Sequence, residues 1–109
     1  MRRSKFRNIK IILDGLKFDS KAESRRYIEL KEIQENGGIS KLNTQEKFIV
    51  IPKQDGERSC TYIADFTYIK DGVKVVEDVK SKATITPQYI IKRKLMLYIH
   101  NIKINEILR

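Results

Sequence analysis

Residues 62–79 constrain this chain more than any other segment. Tyr62–Ile69 and Val73–Val79 are rich in β-branched and aromatic residues and flank Asp71-Gly72, the signal for two strands joined by a two-residue turn. With Asp71 and Gly72 at the turn, Lys70 pairs with Val73 and Asp65 falls directly opposite Asp78. Alternation puts Ile63, Asp65 and Thr67 on one face with Val76, Asp78 and Lys80, and Tyr62, Phe66 and Val75 on the other. Opposed carboxylates repel and destabilise a strand pair. Either the face is solvated and water screens the charges, or the acids hold a divalent cation that turns repulsion into coordination. Apolar residues on both faces favour a covered strand pair with a polar notch, hence a site. Alternation sends the rival acid, Glu77, to the opposite face beside Phe66, and a one-residue bulge would exchange the two.

Around this hairpin the chain reads as alternating elements. Lys10–Leu13 and Leu16–Phe18 flank Asp14-Gly15, a second hairpin signal. Ser20 with Glu23 three residues later forms a capping box that opens a helix, and Asn36-Gly37-Gly38 stops it. Glu46–Ile51 reads as a strand ended by Pro52, and Lys53–Ser59 as a polar loop. Thr86-Pro87 opens a second helix running to about His100, which serves as its C-terminal cap. Ile102–Leu108 alternates as a last strand. The predicted order is hairpin, helix, three strands, helix, strand: an α/β fold with a mixed sheet flanked by helices. Residues 1–109 form one predicted domain, with 1–8 as a mobile basic arm.

One cysteine (Cys60) and one histidine (His100) cannot supply the roughly four Cys/His ligands of a structural zinc site. Any metal must rest on carboxylates, which suits Mg²⁺, with Mn²⁺ as a substitute. Lys and Arg number 23 against 14 Asp and Glu, a net charge of +9 that points to a polyanionic partner, first of all nucleic acid. No segment approaches the ~20 apolar residues of a membrane span. The apolar stretch behind the basic start ends at Asp14, too soon for an export signal, so a cytoplasmic protein without membrane partners is expected.

Glu23 admits two roles. Capping explains it fully, yet with Ala22, Tyr27, Leu30 and Ile33 as the apolar arc of the helix, Glu23 falls inside that arc. A carboxylate aimed at the sheet is costly unless paired or bound to metal. Candidate phosphate contacts are Arg2, Arg3, Lys5 and Arg7 of the arm, Lys82 after the acidic strand, and Lys92, Arg93 and Lys94 on the second helix. The last three read equally as a solvated helix face. Gln45, at a strand entry, is a further candidate to face the site, and Leu95, Tyr98 and Ile99 fit either core or interface.

Asp65 followed by Asp78-Val79-Lys80, with Glu23 on the preceding helix, resembles the PD-(D/E)XK, or restriction-endonuclease-like, nuclease superfamily. Ala64 stands where that signature has proline. More closely, GLKFDSKAESRRY, YIADFTYIKDG and VVEDVKS resemble small phage and prophage proteins described as Holliday-junction-resolvase-like. The likeness extends over roughly residues 13–98. It implies an αβββαβ core, to which the N-terminal β-hairpin read at Asp14-Gly15 is added, and a Mg²⁺-dependent endonuclease for branched DNA that works as a homodimer. It also implies that Asp65, Asp78 and the Val79 carbonyl hold the metal, that Glu23 completes its shell, and that Lys80 acts on the attacking water. The alternatives are a general or nicking phage endonuclease and a non-catalytic nucleic-acid-binding protein on the same fold.

Overall fold

The computed structural model describes residues 10–109, so the basic-arm candidates Arg2, Arg3, Lys5 and Arg7 lie outside the described residues. Both hairpin turns form as their dipeptides require. Asp14 and Gly15 (φ 51° and 76°) join β1 (Ile11–Leu13) to β2 (Leu16–Phe18), and Asp71 and Gly72 (φ 51° and 78°) join β6 (Phe66–Lys70) to β7 (Val73–Lys80). Positive φ at both central residues matches the right-handed twist of the strands they connect.

Helix α1 (Lys21–Glu35) starts at Ser20, whose Oγ accepts the Glu23 N–H at 3.1 Å. It ends in a paired cap, where Gly37 N–H donates to Gln34 O and Gly38 N–H to Ile33 O. A Cβ on Gly38 would lie 2.6 Å from Ile33 Cγ2, so this second glycine is set by close packing and not by φ. Helix α2 (Pro87–His100) is capped by Thr86, which accepts the Tyr89 N–H. His100 does not cap α2. Asn101 in the left-handed region does so, while the His100 ring reaches Ile49 O at 2.8 Å and rests edge-on against Phe48.

The main sheet is mixed and four-stranded, ordered β3 (Ser40–Thr44), β6, β7 and β8 (Asn105–Leu108), with β8 parallel to β7 through the α2 crossover. On one face lie α1 and the β1–β2 hairpin, around Phe18, Tyr27, Leu30, Phe66 and Tyr68. On the other lie α2 and a two-stranded ribbon, β4 (Lys47–Ile51) with β5 (Cys60–Ile63), around Phe48, Val50, Tyr62, Ala64, Val76, Tyr89 and Met96. Leu30 is 1% exposed, and its truncation to alanine is expected to cost about 2–5 kcal/mol, read as a lower urea midpoint at unchanged slope.

Five strands lie between the helices where the sequence predicts three. The strand β3 (Ser40–Thr44) escapes sequence reading because Leu42 is its only strongly apolar residue, a composition tolerated at a bulged sheet edge. The predicted strand Tyr62–Ile69 is in fact two, β5 and β6, parted at Ala64 and Asp65. The register through the break is continuous. Thr44 pairs Phe66 on one side and Lys47 pairs Ile63 on the other, while Gln45 N–H donates to Asp65 O and Ala64 N–H to Glu46 O between them. A single antiparallel ribbon therefore turns a corner at Gln45 (φ 57°) and Asp65. Simple alternation fails across that corner. Tyr62 joins the cluster of Val76 and not that of Phe66, and Ile63 is 44% exposed.

Candidate active site

The ladder of the central hairpin follows the predicted register from Lys70↔Val73 to Phe66↔Glu77 and ends there. Asp65 is thus not a ladder partner of Asp78. From the corner its Oδ2 reaches across to accept the Val79 N–H at 2.9 Å, which brings it beside Asp78 by another route. Asp78 is 4% exposed, and Lys80, two residues on and on the same face, sets its Nζ 3.2 Å from Asp78 Oδ2. Burial first, then the negative charge of Asp78 and the hydrogen bond between the two acids, push the Asp65 carboxyl well above the usual range, against the pull of the Val79 N–H.

Glu23 reaches the same place from α1. Its carboxylate accepts the Asp19 N–H at 3.1 Å, one residue ahead of the usual capping-box donor. Burial raises its pKa. The Asp19 N–H opposes that, and Asp78 and Lys80 are near enough to act on it with opposite signs. The capping and site-facing roles coexist, since the cap uses one edge of a half-buried carboxylate that also lines the cleft. The predicted apolar arc of α1 is shifted by one turn's edge: Ser24 is buried with Tyr27 and Leu30, and Ile33 is 39% exposed.

Glu23, Asp65, Asp78, Val79, Lys80 and Lys92 all line one open cleft of about 410 Å³, bounded by Thr61 and Ile63 of the ribbon, by Thr84 in the short turn before α2, and by Thr86, Gln88 and Tyr89 at the start of α2. The other candidates lie elsewhere. Arg93 is held 2.8 Å from Glu106, Lys94 faces a separate depression with Leu97 and Lys103, and exposed Lys82 does not line the cleft. Helical rotation separates these neighbours, since consecutive residues point about 100° apart. Gln45 is exposed and touches the site only through its backbone N–H to Asp65 O, because its left-handed conformation serves the corner.

Glu77 is wholly buried on the far face, where Arg26 Nε and Nη2 grip its carboxylate at 2.8 and 2.6 Å and the Tyr68 hydroxyl donates to it. The two adjacent acids of β7 therefore have different surroundings: Glu77 is fully partnered, whereas Asp78 faces a second acid in an open cleft. Sequence reasoning missed Tyr62 and Tyr89 at this cleft. The Tyr62 hydroxyl is buried without a hydrogen-bond partner among the described residues, and burial beside Asp78 pushes its pKa up. A signal for Tyr89 exists in the sequence, since the Thr86-Pro87 start puts it in the first helical turn after the acidic strand.

Among the described residues, no group of three or more Asp, Glu, His or Cys side chains is gathered for a metal, and no helix is long and apolar enough to cross a membrane. A mixed-sheet α/β protein with paired acids in a cleft is the class that fold and site define. The chain belongs to the family described as "Protein of unknown function (DUF1064)", whose model matches residues 3–109. No curated protein and no solved structure matches it significantly.

Proposed function

We propose that this protein is a Mg²⁺-dependent DNA endonuclease of the PD-(D/E)XK kind, built on a restriction-endonuclease-like core. The observation that carries the reading is the pairing of Asp65 with Asp78, two largely buried acids side by side, with Lys80 beside them and the cleft open to a ligand. Buried like charges are costly, and a hard divalent cation among oxygen donors relieves that cost. Two carboxylates side by side are oxygen donors of the right kind, and Val79 and Glu23 line the same cleft and would supply further oxygens. When bound, the metal supplies a more acidic water and charge stabilisation at phosphate. Asp65 and Asp78 would hold it, Lys80 would place positive charge beside the scissile group, and Lys92 would meet a backbone phosphate at the rim. The net charge of +9 supports a nucleic-acid substrate.

On this reading the preferred substrate is branched DNA, with a four-way junction cut by a two-fold homodimer that presents one cleft to each of two equivalent strands. The test is cleavage of a labelled four-way junction and a matched linear duplex with Mg²⁺, Mn²⁺ or Ca²⁺. Mg²⁺ and Mn²⁺ are expected to support cutting. Asp78→Ala is expected to lower the rate by at least about 10²-fold while DNA binding, which rests on Lys and Arg, persists. Equal cutting of both substrates would retain the nuclease and discard junction selectivity. Wild-type protein that binds DNA and cuts neither would be a non-catalytic binding module.

A further inference from the structure

Lys80 is held from two sides. Besides the Asp78 carboxylate at 3.2 Å, its ammonium lies over the Tyr89 ring, 4.0 Å from the centroid. The Lys80 side chain is 16% exposed and Tyr89 is 7% exposed, so water competes weakly for the cation, the condition under which a cation–π contact is strongest. The ring is itself fixed. The Tyr89 hydroxyl donates to Glu106 Oε2 at 2.6 Å, Arg93 donates to the same oxygen at 2.8 Å, and the Arg93 guanidinium stands 5.8 Å from the ring centroid. Glu106 is the β8 residue paired with Asp78 of β7. Strand β8 and helix α2 thus converge on one aromatic ring, and the ring abuts the one lysine of the acidic strand that faces the cleft.

We infer that Tyr89 is a positioning residue for Lys80: its ring fixes the ammonium over the cleft beside the acid pair, and Glu106 with Arg93 fixes the ring. A lysine carries several rotatable bonds and loses much freedom when held. A preset ring removes that loss from the step in which the cation is used. The contact is one of face to cation, so the ring matters and its hydroxyl matters only through Glu106.

This inference rests on the nuclease reading for its consequence but not for its geometry, and the two fail separately. Proton NMR of ¹³C-lysine-labelled protein reads the geometry without any activity. The Lys80 ε-methylene protons are expected well upfield of those of the other lysines in wild type and in Tyr89→Phe, and at the ordinary position in Tyr89→Leu. Cleavage reads the consequence. Tyr89→Leu is expected to lose roughly tenfold in kcat with KM nearly unchanged, and Tyr89→Phe to recover most of that loss. A Lys80 methylene at the ordinary position in wild type overturns the inference, and needs no variant to fold. An unchanged kcat in Tyr89→Leu also overturns it, because the ring would then have no part in placing the cation. An upfield methylene in a protein that cuts no DNA would sustain the contact and remove the nuclease.

Discussion

Arg26→Ala is expected to bring the protein close to unfolding. The substitution leaves Glu77, a carboxylate with no exposed surface, facing only the Tyr68 hydroxyl. Removing one partner of a buried ion pair costs about 3–5 kcal/mol, against a total stability of roughly 5–15 kcal/mol for a domain of ordinary size. Arg26 also binds Glu29, which Arg109 grips from the chain's last residue, so the loss extends to the contact between α1 and the C-terminus. Urea unfolding checks the value. The double substitution Arg26→Met with Glu77→Leu is expected to recover most of the loss, because it removes both charges and keeps the volume. A double variant as unstable as the single one would show that packing, and not the stranded charge, sets the cost.

Metal-free protein is expected to become less stable as pH rises across the neutral range, the reverse of what salt-bridged carboxylates give. Asp65 has a folded-state pKa raised above the ordinary carboxyl value of 3.8. The folded protein therefore binds a proton more tightly than the unfolded chain does. Its stabilising contribution is complete below about pH 4 and is lost as pH climbs through the raised folded pKa. With the acid largely buried, the swing between pH 4 and 9 is on the order of 3 kcal/mol. Thermal unfolding in chelator checks the slope, and Asp65→Asn is expected to flatten it. Mg²⁺ competes with that proton, so added metal is expected to stabilise at pH 8 and hardly at pH 5, by about 2.7 kcal/mol at a hundredfold excess over Kd. An unchanged melting temperature at pH 8 in saturating Mg²⁺ and Mn²⁺ would remove the metal from the proposal.

The sequence is most legible where a local rule acts alone. Asp-Gly turns require positive φ, Ser20 and Thr86 cap helices, and the register from Lys70↔Val73 follows from the turn without further information. Legibility fails where the backbone leaves its local pattern for a tertiary reason. Nothing between Tyr62 and Ile69 breaks the strand pattern, and no turn residue announces Asp65. The corner exists because the ribbon must leave the main sheet to pack Phe48, Val50 and Tyr62 against α2. Asp65 and Asp78 come together although the strand ladder stops one pair short of them, since the Asp65 side chain reaches Val79 N–H instead. Basic residues are the least legible of all. Lys92, Arg93 and Lys94 are alike in sequence, and only helical rotation together with Glu106 separates the one that faces the cleft.

The corner at Gln45 and Asp65 has a consequence for how such a protein can diversify. One acid sits at the vertex and the other on the flat strand beside it, while the ribbon beyond the vertex supplies Thr61 and Ile63 to the cleft wall and carries Ile49 and Ile51 exposed on its surface. The vertex is tied down by backbone hydrogen bonds, which do not depend on side-chain identity. Substitutions or a lengthened tip in the ribbon can therefore reshape what the cleft admits without altering the distance between the acids. Apart from Tyr62, whose hydroxyl lies beside Asp78, the ribbon is free to change without moving the acid pair.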